Sequence, residues 1–417
     1  MQTRLLTIML GVVLAACAEA PDRAVSPTAP RTTTTDADVF DRYVAIGTSV
    51  SMGWQSDGLT ASIQQQSWPA QVAAAAGRPM SLPLISGVGC RSPIAAPLAL
   101  GRRESGEPVS PPPGVTLACD PLQSGIALPT RNVAIASATT QNVVQSTPAS
   151  ITDPFYQQLF GRVLPPGMTP LAAALSQAPT FVSVELGANE LLGARTGVAI
   201  PGQTMFPYGP WTQLFDVVVS NVTRAAPKGL FVALIRDVAS FPSFRRGAEI
   251  WADRAALLNA FHVAVSSDCV DNRNLVFVPV RIPVAVATGA AHRKNGLPAY
   301  SFSCADGGPT TQDWVLSPAE AGIVNTQMRQ MDQYIRVAAD RAGFAITSLD
   351  ALYGLNGLKP AFSSVQLMTS QQPYGPYISL DGIHPSNAGH TILARAASSA
   401  IARRYGQGVF STVVAAR

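Results

Sequence analysis

The pentapeptide Asp381-Gly382-Ile383-His384-Pro385, near the C-terminus, is the stretch of this chain best suited to chemistry. A carboxylate three residues ahead of a histidine, on a loop punctuated by glycine and proline, can sit under the imidazole and fix its tautomer. That is the orienting half of a nucleophile–base–carboxylate triad, which is recognised by roles and not by sequence order. The chain has only four histidines, so few side chains can serve as a base near neutral pH. His262 lies in an apolar helical segment and is expected in the core. His292, beside Arg293 and Lys294, is expected to face solvent, and His390 to pack or cap within a helix. Asp350, at the end of Ile346–Leu349, is a rival orienting acid, but the local tie to His384 favours Asp381.

A triad needs a nucleophile, and the other end of the chain supplies Ser49. The apolar run Tyr43–Ile46 breaks at Gly47-Thr48-Ser49-Val50-Ser51-Met52-Gly53. An apolar strand ending in a small-residue turn is how an α/β sheet presents a nucleophile at its C-terminal edge. An ordinary strand-to-helix turn, with Ser49 or Ser51 as the N-cap, has the same appearance. The pattern is not the G-x-S-x-G elbow of α/β-hydrolases, because the fifth residue is Ser51. Two further runs end alike: Asn132–Ala136 in Ser137-Ala138-Thr139-Thr140, and Phe181–Leu186 in Gly187-Ala188-Asn189-Glu190.

The order Gly-x-Ser, small-residue turn, Gly-x-Asn, Asp-x-x-His resembles the SGNH (GDSL) hydrolase family, across nearly the whole mature chain. The resemblance implies Ser49 as nucleophile, His384 as general base and then acid, and Asp381 as the residue that orients His384. It also implies an oxyanion hole made of the backbone N–H groups of Ser49 and Ser137 and the side-chain amide of Asn189. The family usually has Asp at the position of Thr48, Gly at Ser137 and Asp at Glu190. Such chemistry requires neither a metal nor an organic cofactor. Ser51 remains a rival nucleophile, one step beyond the turn.

The elements that must hold these residues form an alternating series. Strands are predicted at Tyr43–Ile46, Val133–Ile135, Phe181–Leu186, Leu230–Ile235, Leu275–Val280 and Phe344–Ser348. Helices are predicted at Trp68–Ala76, Leu214–Ala225, Ala248–Val265 and Ala388–Tyr405. Another starts at the capping box Ser317-Pro318-Ala319-Glu320 and reaches about Ala342. Strand–helix alternation implies a parallel sheet with helices on both faces. With the resemblance, the expected fold is α/β, a flavodoxin-like three-layer α/β/α domain with a central parallel sheet. Segments 86–130, 191–213 and 284–314 are rich in glycine and proline and are expected to be loop insertions at the rim of a cleft. Trp54, Trp68, Phe206, Tyr208 and Trp211 are candidates to line an acyl or sugar pocket there.

The N-terminus reads as an address. Arg4 precedes an apolar run from Leu5 to Ala16, too short to cross a bilayer, that ends in Leu14-Ala15-Ala16-Cys17. This resembles a bacterial lipobox; an ordinary signal peptide cleaved near Ala18 or Ala20 is the competing reading. The expected organisation is a signal peptide at 1–16, a lipidated Cys17 with a flexible tether at 17–37, and one hydrolase domain at 38–417. Pro21, Pro27, Pro30 and the run Thr32–Thr35 give the tether a composition that cannot bury a core. Ala18 next to Cys17 suggests an outer-membrane lipoprotein of the bacterial envelope, meeting the membrane surface through its lipid.

Four cysteines remain, Cys90, Cys119, Cys269 and Cys304, which allow three connectivities. Proximity favours Cys90–Cys119 and Cys269–Cys304, and an envelope location permits both. No C-x-x-C pair or nearby histidine supports zinc. Only 13% of residues are charged, the formal net charge is +4, and no basic run with interleaved aromatics occurs, so nucleic acid is not an expected partner. The leading function is an exported, lipid-anchored serine ester hydrolase acting on a small-molecule, lipid or glycan ester. An acyltransferase acting on envelope glycans and a non-catalytic binding lipoprotein are the alternatives, and oligomeric state stays open.

Overall fold

The computed structural model describes residues 39–410, apart from 113, 116 and 118; Cys17 and the expected tether lie outside the described residues. In chain order its strands are β1 (Tyr43–Ile46), β2 (Phe181–Glu185), β3 (Lys228–Ala233), β4 (Phe244–Arg246) and β5 (Val263–Val265), then β6 (Leu275–Phe277), β7 (Tyr300–Phe302), β8 (Val315–Leu316) and β9 (Ala345–Ser348). The principal helices are α1 (Ser49–Met52), α2 (Trp68–Ala75), α3 (Tyr208–Ala225), α4 (Val278–Lys294), α5 (Pro318–Ala342) and α6 (Asn387–Tyr405).

The central sheet is parallel, in the order β1-β2-β3-β9. Its strands are apolar on both sides because both faces are covered. Phe181 meets Tyr405 of α6, with ring centroids 6.3 Å apart, whereas Phe231 meets Phe215 of α3 at 5.9 Å. Phe231 is in register with Val184, three residues beyond Phe181. An odd spacing puts the two rings on opposite faces, so the sheet lies between two helical layers.

Residues 131–135 run along the other edge of β1. Ala45 N donates to Arg131 O and Val133 N to Ala45 O, each at 2.9 Å, and Ile135 N donates to Gly47 O at 3.1 Å. The expected strand is thus an edge segment with a partial ladder, and on its outer side Asn132 Oδ1 takes the N–H of Ala134. With this segment counted second, the spatial order is 2-1-3-4-5, the flavodoxin-like order predicted. Such sheets open a crevice at the carboxyl ends of the strands where the order reverses. Here that is between β1, which leads to Ser49, and β2, which leads to Asn189.

Four sequence expectations need correction. Residues 275–280 are not a strand of the main sheet: β6 stops at Phe277 and pairs antiparallel with β4 and β8 in a separate sheet. Pro279 fits the first turn of α4, which continues to Lys294 through part of the expected 284–314 loop. Ala248–Val265 is not one helix; it divides into Gly247–Ala252 and Arg254–Phe261, and the chain then reverses at His262 (φ 58°) into β5. His262 is accordingly half-buried at a helix end, with Nε2 3.0 Å from Leu297 O, and not a core residue. The two disulfides are Cys90–Cys119 and Cys269–Cys304, as proximity predicted. Among the described residues no helix is long and apolar enough to cross a membrane.

Candidate active site

Ser49 is the first residue of α1, directly after the strand end at Ile46, and is buried apart from 5% of its surface. Gly47 allows this turn to close: a Cβ there would lie 2.5 Å from Ser51 Cβ. Asp381 and His384 sit on a hairpin closed by a backbone bridge between Ile378 and Pro385 and by Ser379 N donating to His384 O at 2.8 Å. At its tip Gly382 has φ 72°, a left-handed conformation that glycine adopts without penalty. Ser386 caps α6 just behind, accepting from Gly389 N, so the hairpin is anchored at the helix start.

The tertiary fold joins the two chain ends. Ser49 Oγ lies 2.9 Å from His384 Nε2, and His384 Nδ1 lies 2.8 Å from Asp381 Oδ2. Asp381 Oδ1 also accepts from Ile383 N at 2.9 Å, His384 N at 2.8 Å and Ser379 Oγ at 3.2 Å. Burial alone would raise the Asp381 pKa; the His384 charge and the donors on His384 and Ile383 overcome it and hold the carboxyl down at about 2. An ionised Asp381 can only accept, so Nδ1 carries the imidazole proton and Nε2 is free to accept from Ser49.

The other two turns meet the same crevice. Asn189 Nδ2 donates to Ala138 O at 2.8 Å, which uses one of its two N–H bonds and leaves the second. Ser137, next to Ala138, has φ 64°, and its Oγ donates to Tyr156 OH at 3.0 Å. Ser137, where the resembled family usually has Gly, is therefore a left-handed residue, at which a side chain is strained. The backbone N–H groups of Ser49 and Ser137 have no acceptor among the described residues.

The rivals lie elsewhere. Ser51 is fully buried, with Oγ donating to Glu185 Oε2 at 3.0 Å and accepting from Trp68 Nε1 at 3.2 Å. Asp350 pairs with Arg236 at 2.9 Å. His292 Nδ1 bonds Pro298 O at 2.8 Å on the exposed side of α4. His390 is packed in α6 with neither ring nitrogen bonded among the described residues, and burial, with His384 nearby, pushes its pKa down to about 3. Trp54, Trp68 and Trp211 are buried in the core, and Phe206 and Tyr208 pack against it. Tyr208 stacks on Trp211 at 6.0 Å.

Two features escaped the motif search. The first is Glu185, fully buried at the end of β2. It accepts from Thr48 N (3.0 Å), Thr48 Oγ1 (2.9 Å), Ser51 N (3.3 Å) and Ser51 Oγ (3.0 Å). Burial lifts its pKa to about 7 in spite of those donors. A glutamate inside an apolar strand was the available signal, because buried charge needs partners. The second is an apolar cavity of about 50 Å³ whose lining includes Ala188, Leu234, Val238, Phe241, Leu316 and Ile383. Ala188 adjoins Asn189, Ile383 adjoins His384, and Leu316 belongs to the separate sheet, so no continuous stretch of sequence could disclose it.

No protein-family model matches this chain, and no curated protein does. Among solved structures it is similar to Axe2, an acetylxylan esterase from Geobacillus stearothermophilus, with 11% identity and a TM-score of 0.35 over 87% of this chain and 93% of that one. A variant of that enzyme, described as an acetyl-xylooligosaccharide esterase, aligns with 12% identity and a TM-score of 0.35 over 87% of this chain and 94% of that chain. The chemistry of the site rests on its own geometry.

Proposed function

We propose that this protein is a serine ester hydrolase of SGNH type, with Ser49, His384 and Asp381 as its triad. The observation that carries the reading is the unbroken chain from Ser49 Oγ through the imidazole to Asp381, with contacts of 2.9 and 2.8 Å. A serine hydroxyl attacks a carbonyl efficiently only when an adjacent base takes its proton. His384 Nε2 accepts that proton as Ser49 Oγ bonds to the acyl carbon. It then returns the proton to the departing alcohol as the ester C–O bond breaks. Water, deprotonated by the same nitrogen, attacks the acyl carbon; the bond from Ser49 Oγ to the acyl group breaks, Oγ takes the proton back from His384 and the acid leaves, while Asp381 keeps its charge and stabilises the imidazolium. The N–H groups of Ser49 and Ser137 and the second Asn189 amide N–H receive the oxyanion, the role for which pre-aimed donors matter most.

The apolar cavity beside Asn189 and His384 supports a short aliphatic acyl group. At about 50 Å³, about a third of a cavity that takes up benzene, it has room for about two or three carbons. The proposal includes export and lipid anchoring through Cys17, supported by Leu14-Ala15-Ala16-Cys17 and by two disulfides. A Cys17→Ser chain that still takes up labelled fatty acid would end the anchoring claim.

Hydrolysis of p-nitrophenyl acetate, butyrate, hexanoate and octanoate, beside Ser49→Ala, tests the activity. Acetate and butyrate should lead over hexanoate and octanoate, the variant should be inert, and Leu234→Trp should narrow the preference to acetate. A folded protein that turns over no ester and resists a serine-reactive phosphonate overturns the reading and leaves a binding lipoprotein. A labelled but inert protein points instead to acyl transfer, with its acceptor missing.

A further inference from the structure

Besides the His384 ring, Asp381 Oδ2 has one more partner, and it comes from far away in sequence: the backbone N–H of Asp57, at 2.8 Å. Every other donor to Asp381, from Ser379, Ile383 and His384, belongs to its own hairpin. The Asp57 contact therefore ties the carboxylate itself to the sheet side of the molecule. Asp57 shares a two-residue turn with Ser56, closed by reciprocal bonds between Gln55 and Gly58 at 3.0 and 2.9 Å. Both central residues are left-handed, with φ 51° and 52°, which is an uncommon conformation for side-chain-bearing residues.

What holds this turn is an ion cluster supplied by the 86–130 insertion. The Asp57 carboxylate accepts from Arg91 Nη1 at 2.9 Å and from Arg103 Nη2 at 2.7 Å. Arg103 is 2% exposed, and its Nη1 donates to Asp57 O at 3.0 Å and to Ser92 O at 2.8 Å. Arg91 follows Cys90, which the disulfide joins to Cys119, and its guanidinium lies 4.6 Å over the Phe155 ring. The neighbouring Ser56 bonds the catalytic hairpin twice more: its N–H donates to Ser379 Oγ at 2.9 Å, and its Oγ accepts from Leu380 N at 3.2 Å.

We propose that Asp57, Arg91 and Arg103 form a positioning device for the reaction: the insertion clamps the Ser56–Asp57 turn so that the Asp57 N–H fixes Asp381 beneath His384. The inference rests on the reading of Ser49, His384 and Asp381 as a triad. None of the three residues has to touch substrate. Their effect passes through the placement of Asp381, and small misplacements of such groups cost up to about 10²-fold in rate.

The groups that face the imidazole are Asp381 and His390, the latter held neutral by burial. Tyr353 and Tyr374 face Asp381, and burial raises both above the tyrosine range, so neither titrates in an ordinary assay. Glu185, on the Ser49 side, does titrate near neutrality, so each variant is compared with the parent across the same pH range.

The test uses Asp57→Asn, which tolerates the left-handed turn and retains the backbone N–H while losing the ion pairs. Its kcat should fall about 10–100-fold with KM nearly unchanged. The low-field NMR resonance of the His384 Nδ1 proton, assigned by its absence in His384→Gln, should broaden or vanish. Arg91→Gln, at a partly exposed position, keeps the test available if Asp57→Asn fails to fold, and should produce a smaller change of the same kind. Combining Asp57→Asn with Arg91→Gln should cost little more than Asp57→Asn alone. A folded Asp57→Asn protein with parental kcat and low-field resonance overturns the proposal, as would strict additivity of the pair. If no protein hydrolyses an ester or takes up phosphonate, the resonance still decides: its loss in Asp57→Asn upholds the clamp while the esterase reading falls.

Discussion

Two turns meet above the end of β2, and each is held by a buried glutamate, but they are held to different degrees. The Ser49 turn is fastened by Glu185 through four donors on Thr48 and Ser51. The Ser137 turn is fastened by Glu190 through one residue, Thr140, whose N–H donates to Oε1 at 2.6 Å, and Glu190 Oε2 has no partner among the described residues. The first turn has a glycine where its backbone comes closest to a neighbour, whereas the second has Ser137 in a left-handed conformation. The contrast suggests that placement of the proposed nucleophile is over-determined, while the side proposed to receive the oxyanion stays under strain. It also accounts for Thr48 in place of the usual Asp of the resembled family. The carboxylate at this corner comes from β2, and Thr48 is its donor.

Removing the stronger fastening should have the largest effect. Glu185→Ala leaves Thr48 N and Ser51 N buried without an acceptor, at about 1–3 kcal/mol each, so chemical denaturation should show a loss of several kcal/mol. Glu185→Gln should retain most of that stability, since its amide can donate to Thr48 Oγ1 while its oxygen accepts from the backbone. Equal losses in the two variants would mean that size and not hydrogen bonding holds the turn.

Asn189 bridges the contrast, because it is tied to the second turn through Ala138 O and yet is proposed to serve the first. Asn189→Ala should lower kcat by about 10²–10³ with little change in melting temperature. Parental turnover in that variant would remove Asn189 from the oxyanion hole.

The third effect is a pH dependence. Burial raises Glu185 from its ordinary 4.5 to about 7 in the folded state. The folded protein therefore binds this proton more tightly than the unfolded chain does. The associated stability is complete below about 4.5 and is lost as pH rises through about 7. The melting temperature of the parent should fall across that window relative to Glu185→Gln, which lacks the titration. A constant difference between the two would show that Glu185 does not titrate there.

The smallest change expected is for Ser137→Gly. Relief of left-handed strain, set against the greater freedom of the unfolded chain and the lost bond to Tyr156, should alter stability by no more than about 1 kcal/mol. Turnover should hold or rise if the Ser137 N–H serves as a donor. A large loss of turnover would mean that the Ser137 side chain, and not its backbone, matters.

Much of this was legible in the chain. Tyr43–Ile46 and Phe181–Glu185 are strands because continuous apolar residues suit a sheet covered on both faces, and both lie within a residue of the expected bounds. The helix from Pro318 to Ala342 starts at its capping box, where Ser317 accepts from Glu320 N and Glu320 returns a bond to Ser317 N. The Leu275–Val280 expectation went wrong because a short apolar run does not reveal which sheet it will join, and Pro279 suits a helix start equally well. The long helix expected over Ala248–Val265 failed because its break at Asp253 depends on a distant partner: Asp253 Oδ2 accepts from Ser364 N at 2.7 Å.

Local spacing was enough to tie Asp381 to His384, because three residues across a glycine turn bring carboxylate and imidazole together whatever surrounds them. It was also enough to identify Ser49 and Asn189 as residues ending strands. Only the folded chain decided that Ser49 meets His384 across 335 positions, that Ser51 is occupied by Glu185 and Trp68, and that Asp57 braces Asp381 from 324 positions away. The difference is physical. Turn chemistry acts through neighbouring dihedral angles, whereas the other contacts exist because a parallel sheet brings remote strand ends to one edge and inserted segments close over it.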